Sequence, residues 1–262
     1  MYNFWVQTIT YYRGLNDWYK GPPYFANFIL FPIITILTYA LLGRFAMNAQ
    51  AAKFFAIGQM VSSASYSILC SSTMSYANDR WYSMLGLFYM SPANRFLNFI
   101  SRILLLYHIG LVTETVCIIM IRLTTPVDFG AINWPLLVLS LLIINFSILA
   151  FAQFLSIFSI IFREWLNTLA LALGIILILT GIIMPISIFP VWVQEIGKLI
   201  PLTNGLMVIR AAFDGLPLSA TGFSLLREVI TAIVYFFAGF LGFVIFEKVA
   251  KRKGIVDMED FN

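Results

Sequence analysis

The side chains that could carry out chemistry are few, and most lie within apolar segments. Glu114 stands between Thr113 and Thr115 in the stretch HIGLVTETVCII, where an ionisable group is costly and is a functional candidate by default. The single histidine, His108, lies six residues earlier, on a different face of a helix, so we expect no Glu–His proton pair there. Two interpretations of Glu114 stay open. It lines a transport path, or it is protonated or paired with a polar residue of another helix and serves packing or assembly.

The remaining reactive side chains do not indicate an enzyme. Cys70 and Cys117 both fall inside predicted membrane spans, which disfavours a disulfide, and two cysteines do not make a metal cluster. The sequence has no GxxxxGK[ST] phosphate-binding loop and no cluster of His, Asp, Glu or Ser that would suit an intramembrane enzyme. We expect no catalytic residue and no cofactor or metal bound by this chain itself.

Composition indicates that the lipid bilayer is the solvent of this chain. Of its 262 residues, 61% are hydrophobic and 11% are charged, whereas soluble domains carry about 25% charged residues. The net charge of +4 is small, and no basic cluster interleaved with aromatic residues points to a nucleic-acid partner. The sequence predicts an all-α polytopic membrane protein in which residues 1–262 form a single transmembrane domain.

The apolar segments define the predicted helices. Met1–Lys20 is amphipathic with an aromatic stripe, which predicts a helix lying in the membrane interface, and Gly21-Pro22-Pro23 ends it. Each of the six apolar segments that follow supplies the about 20 residues that a spanning helix needs. The predicted spans are Tyr24–Leu42, Phe54–Tyr76, Phe96–Ile121, Trp134–Phe162, Trp165–Phe189 and Val229–Phe246.

The distribution of positive charge orients these spans. With both termini in the cytoplasm, most of the 16 lysines and arginines fall on the inner side, including Lys251-Arg252-Lys253 after the last span. This predicts a multi-pass plasma-membrane protein with both termini cytoplasmic. The outer side then holds Arg44, Lys53, Arg122, Lys198, Arg210 and Arg227.

The longest predicted cytoplasmic connection, residues 77–95, has features of a docking segment. It contains an apolar run, and its closing serine could cap a short helix that begins at the next residue, a proline. Exposed aromatic side chains favour a coupling helix that contacts a soluble partner, while the simpler alternative is a solvated hairpin. The candidate contact residues are Asp79, Arg80, Trp81, Leu85, Ser91, Pro92 and Arg95.

The second predicted span is rich in small polar residues, among them Ser62 and Ser65. Small side chains let helices approach closely, which favours a packing role. The alternative is that one face of this span lines a path for an amphiphile.

The stretch Leu179–Gly215 departs most from a plain apolar helix. Pro185 and Pro190 cannot continue a helical hydrogen-bond ladder, and backbone groups freed at membrane depth must be buried in protein or line a wet cavity. The next turn presents an apolar face that includes Trp192. The pattern predicts a re-entrant helical hairpin over residues 190–215 that dips from the outer face, or else an interfacial loop with aromatic anchors.

Together these features resemble the permease subunit of an ABC type-2 exporter over nearly the whole chain. The shared layout is an amphipathic start, six spans, a cytoplasmic loop that ends in Ser-Pro, and a proline-broken fifth span before a P-L-T…R…G segment. That segment is Pro201-Leu202-Thr203, Arg210 and Gly215 here. Where the family loop often reads Glu-Arg-Gly, this chain has Asp79-Arg80-Trp81.

The resemblance implies a complex of two permeases, identical or related, with two ABC ATPase subunits that bind ATP and Mg, in a bacterial plasma membrane. It implies that residues 77–95 couple to the ATPase. The expected cargo is amphiphilic: a drug, a peptide antibiotic, a lipid or a glycolipid. A polysaccharide or glycolipid exporter permease and a non-transport membrane assembly protein remain the alternatives. The implied outer gate contains Pro185, Pro190, Trp192, Pro201 and Arg210, and Glu114, Ser62 and Ser65 are candidates for a pathway.

Overall fold

The described part of the chain consists of helices joined by short connections. The structure, a computed structural model of the chain, describes residues 21–46, 49–81, 94–124, 131–161 and 165–253. These residues contain no β-strand, which confirms the predicted all-α class. Their helices are α1 (21–46, with a π-helical segment at Ala26–Leu30), α2 (Ala49–Trp81), α3 (Arg95–Thr124), α4 (Trp134–Ile161), α5 (Trp165–Leu179), α6 (Val191–Leu199), α7 (Thr203–Phe213) and α8 (Leu218–Lys253).

Four of these helices are long and apolar enough to cross a membrane, and a fifth span is counted if α6 and α7 form one broken span. The chain is therefore a multi-pass membrane protein. Helix α2 covers the predicted second span and is 33 residues long, but its serines make it less apolar than those four helices. The predicted interface helix Met1–Lys20 lies outside the described residues. The four spans are Gly21–Gly43, Phe96–Leu123, Trp134–Phe158 and Leu218–Val249.

The prediction of a fifth span over Trp165–Phe189 is wrong in its second half. Helix α5 ends at Leu179, and its 15 residues at about 1.5 Å each reach about 22 Å, short of the about 30 Å hydrocarbon core. Gly181 has φ 80°, a left-handed conformation that commonly ends helices. The helix therefore stops before Pro185, and the glycine, not the proline, marks the break.

Helices α2 and α4 form the centre of the bundle, and the small residues of α2 serve its packing. Helix α2 contacts α1, α3, α4 and α5. The Ser72 and Ser156 hydroxyls lie 2.8 Å apart and join α2 to α4, and Ser63 reaches Thr35 of α1 at 3.2 Å. Interhelical hydrogen bonds of this kind contribute about 0.6 kcal/mol each. Ser63 and Ser72 thus take part in helix packing.

We expect the close approach between α2 and the break after α5 to tolerate no added side chain. A Cβ atom at Gly58 would collide with the carbonyl oxygen of Ile182, whereas a Cβ atom at Gly174 in α5 would meet nothing within 4 Å. Gly58→Ala should therefore lower the free energy of unfolding by about 1–3 kcal/mol. Gly174→Ala should leave it unchanged or raise it by up to about 1 kcal/mol. Unfolding midpoints of the two variants in one detergent check this, and equal midpoints would contradict the close packing.

Candidate functional site

The break after α5 and the bend between α6 and α7 form one buried site. The axes of α6 and α7 differ by 91°. Leu202, at the bend, has φ 88° and is the only residue other than glycine with a positive φ in the described ranges. Such a conformation costs on the order of 1–3 kcal/mol and persists only where surrounding contacts impose it. The contacts that impose it come from α8 and from α7 itself.

Glu228 of α8 holds the beginning of α7. Its carboxylate is fully buried and accepts hydrogen bonds from the backbone N–H of Leu202 at 2.9 Å and of Gly205 at 3.0 Å. These N–H groups lie at a helix N-terminus, where the helix dipole also favours a negative charge. Gly205 allows this close packing, since a Cβ atom there would lie 3.3 Å from Glu228 Cγ and 2.8 Å from the Ile144 side chain of α4.

The sequence interpretation missed Glu228 because the predicted sixth span began one residue later, at Val229. The structure starts α8 at Leu218, which places this carboxylate inside a membrane-spanning helix. An apolar segment extended back to Leu218 would have shown an acidic residue at membrane depth, the same signal that singled out Glu114.

The first residues of α7 close the end of α6. The Thr203 hydroxyl donates to the carbonyl of Gly197 at 2.6 Å, and the Asn204 amide donates to that of Lys198 at 3.0 Å. Both carbonyls belong to the last turn of α6, where that of Gly197 also accepts from the backbone N–H of Ile200 at 3.0 Å. At this bend, the first residues of α7 donate to the end of α6, while Glu228 of α8 accepts from the start of α7.

Arg210, predicted for the outer gate, satisfies the break after α5. Its guanidinium donates to the carbonyl of Gly181 at 3.0 Å and contacts that of Ile182 at 3.4 Å. The guanidinium carbon also lies 3.6 Å from the ring centroid of Phe54 in α2, a contact worth about 2 kcal/mol when desolvated. Arg210 therefore satisfies carbonyl groups that follow the end of α5.

The other predicted gate residues divide into two groups. Pro201 is buried in the bend, on the same hairpin as Arg210. Pro185, Pro190 and Trp192 lie on the surface, and Trp192 is 68% exposed. Helix α6 therefore shows an apolar outward face, while α7 is almost entirely buried.

The C-terminal end of α7 contacts α2 and the residue just before α4. Lys53 of α2 pairs with Asp214 at 2.6 Å, and the backbone N–H of Asn133, just before α4, donates to Ala212 at 2.9 Å. The Asn133 side chain also donates to the carbonyl of Leu216 at 2.9 Å. The hairpin is thus held at its bend, along α7 and at its exit.

Glu114 is paired with a polar residue of another span, one of the two interpretations left open by the sequence. The Asn145 amide of α4 donates to Glu114 Oε2 and to the carbonyl of Leu141. Glu114 is 1% exposed and lines a cavity of about 440 Å³ between α3 and α4. The serines Ser62 and Ser65 are buried in α2, where Ser65 donates to its own backbone at Val61.

The residues predicted to couple to an ATPase are described only at the edges of their loop. Helix α2 continues through Asp79, Arg80 and Trp81, so residues 77–81 are helical and not part of a loop as predicted. Arg95 begins α3. Leu85, Ser91 and Pro92 lie outside the described residues.

Comparisons with known proteins leave the geometry as the main guide. No family model matches the sequence, and no curated protein matches it significantly. Within the described ranges, no group of three or more His, Cys, Asp or Glu side chains is arranged to hold a metal ion. The site is a junction of backbone ends with two charged side chains, the buried Glu228 and the half-buried Arg210.

Because of the Arg210 contacts, we expect substitution of Arg210 to lower the free energy of unfolding far more than substitution of Arg227, an arginine of the same region. Arg210→Met keeps an unbranched apolar side chain but removes the donors to the break, so the free energy of unfolding should fall by about 1–3 kcal/mol. Arg227→Met is the matched control, since Arg227 is exposed and stacks only on Phe223 at 4.5 Å; its effect should stay within about 0.5 kcal/mol. Denaturation in mild detergent measures both, and similar losses would show that Arg210 does not hold the break.

Proposed function

We propose that this chain is the transmembrane subunit of an ATP-driven ABC type-2 exporter that moves an amphiphile out of the cytoplasm or the inner leaflet. The observation that carries the proposal is the α6–α7 hairpin, bent by 91° and joined to the bundle through Glu228 and Arg210. The hairpin is short and lies among spanning helices, and hydrogen bonds satisfy the backbone groups at the ends of its helices. These properties suit an outer gate that moves as a unit.

Helix α2 gives this gate a physical link to the opposite end of the bundle. At one end, α2 carries Phe54 and Gly58, which contact Arg210 and the break after α5. At the other end it carries Trp81, a predicted ATPase contact. Phe54 and Trp81 are about 40 Å apart along one continuous helix at 1.5 Å per residue. A displacement of the coupling segment would therefore reach the gate through a single element.

Export through this chain requires partner subunits. Two ABC ATPase subunits bind ATP and Mg, and residues 77–95 contact them. A second permease, identical or related, completes the path in a bacterial plasma membrane with both termini cytoplasmic. The exposed face of α6 has the apolar character that a second permease or the lipid headgroup region would cover: Val191, Trp192, Ile196 and Leu199.

We expect residues 77–95 to bind a separate ATPase subunit, because the chain itself should have no ATPase activity. The isolated chain should hydrolyse no ATP, and Trp81→Ala with Leu85→Ala should release the ATPase during purification because apolar contacts are lost. Trp192→Ala with Leu199→Ala removes a similar apolar pair from α6 and should keep the ATPase. The measurement is ATPase recovery with the full-length chain purified from its own membranes. ATP turnover by the chain alone, or equal recovery for both variants, would refute the proposed coupling.

The gate should change its accessibility when ATP is trapped on the complex. Single cysteines at Ser187, Gln194 and Thr203, in a chain with Cys70 and Cys117 replaced, report three depths. Ser187 is exposed, Gln194 is half-buried and Thr203 is fully buried. An impermeant thiol reagent added outside should label Ser187→Cys readily and Thr203→Cys only after the hairpin moves. Full and equal labelling of all three positions with and without nucleotide would identify the stretch as an ordinary external loop.

A further inference from the structure

The cavity between α3 and α4 has the shape and lining of a small-molecule site. Its volume is about 440 Å³, within the about 300–1,000 Å³ usual for ligand pockets. Aliphatic side chains form its walls, and the rim residues Ile119, Val138 and Leu142 are 40–53% exposed. The wall residues include Leu111, Ile118, Ile119, Val138, Leu141 and Leu142.

Glu114, one of the residues that line this cavity, has a buried carboxyl oxygen without a hydrogen-bond donor among the described residues. Glu114 Oε2 is bonded by Asn145, but Glu114 Oε1 is buried and has no hydrogen-bond partner among the described residues. Asn145 Oδ1 is likewise buried without a partner there. A buried acceptor left unsatisfied costs about 1–3 kcal/mol, and more if the group is charged. The pair therefore leaves acceptor capacity for a ligand that donates hydrogen bonds.

The outer part of the cavity carries a different arrangement. Arg122 is exposed, and its guanidinium carbon lies 5.3 Å from the ring centroid of Trp134. Glu114 and Arg122 are about 12 Å apart along α3, at 1.5 Å per residue. The cavity thus runs from an aromatic and cationic rim, past aliphatic walls, to a carboxyl group.

We propose that this cavity binds an amphiphile with one protonated amine, its ammonium at Glu114 and its apolar body between α3 and α4. An ammonium offers several donors and a positive charge, which matches a carboxyl group with a free oxygen in a low-dielectric surrounding. Arg122 favours the competing occupant, an anionic lipid headgroup, but it is exposed and already stacked on Trp134. The only buried ionisable side chain in the lining is acidic, so charge complementarity selects the cation.

As a statement about cargo, this inference rests on the proposed export function and names the substrate class as amphiphilic amines. As a statement about binding, it concerns the chain alone. Binding needs no ATPase, so loss of amine recognition would leave the export proposal intact. Failure of an ATPase to co-purify would in turn leave the binding result intact.

The test measures quenching of Trp134 fluorescence by brominated alkyl chains, with the purified full-length chain in neutral-lipid nanodiscs. The probes are ω-bromodecylamine, ω-bromodecanol and ω-bromodecyl phosphate, and Trp134→Phe identifies the component due to Trp134. We expect the amine to quench at lower concentration than the alcohol. Glu114→Gln should raise the half-quenching concentration of the amine roughly tenfold and leave the alcohol unchanged. Glu195→Gln removes the same charge from exposed α6 and should change neither.

A second variant keeps the test decisive if Glu114→Gln does not fold. Val138→Phe fills the cavity from a rim position that is 52% exposed, so it should fold normally and abolish quenching by the amine. Unchanged amine quenching in Val138→Phe, or equal quenching by amine and alcohol in the wild-type chain, would overturn the proposal. Tightest quenching by the phosphate, lost in Arg122→Met, would also overturn it in favour of an anionic lipid site.

Discussion

The need to satisfy backbone polar groups in a medium without water governs this structure. A helix that stops inside an apolar bundle exposes carbonyl and N–H groups, each costly if unpaired. Arg210 contacts the carbonyls after α5, Glu228 accepts the N–H groups that open α7, and Thr203 and Asn204 donate to the end of α6. Without these side chains, neither the break after α5 nor the bend between α6 and α7 would have the contacts that stabilise it.

The same contacts explain why buried charges are retained at this depth. A carboxylate or guanidinium in an apolar interior is stable only with close partners, and truncating one partner leaves the other uncompensated. Here the partners are backbone dipoles, which do not titrate and cannot rotate away. Glu228 and Arg210 therefore fix the positions of α7 and the break relative to α8 and α2. In the proposed exporter, that rigidity makes the hairpin a body that moves as one piece.

Much of the fold could be predicted from apolar segments, since α1, α3, α4 and α8 contain windows that only a bilayer or a large core could accommodate. The end of α5 could not, because hydropathy continues unbroken through Gly181 and Pro185 while the backbone does not. Among site residues, Arg210 was recognisable by its setting in a P-L-T…R segment. Glu228 was recognisable only as an acidic residue at membrane depth, because its role depends on a contact with a segment 23–26 positions away. Asn145 could be anticipated only as an unnamed polar partner for Glu114.

The low apolarity of α2 has a consequence for how the protein is made. A helix that a membrane accepts poorly on its own must enter with help from neighbours, and the ribosome supplies them in order. Its earlier neighbour α1 offers Thr35 to Ser63 at once, but Ser156, the partner of Ser72, emerges only with α4. Until α4 has entered the membrane, Ser72 lacks this partner. Assembly of the bundle is thus sequential, because the contacts of its central helix are completed only by helices that are made after it.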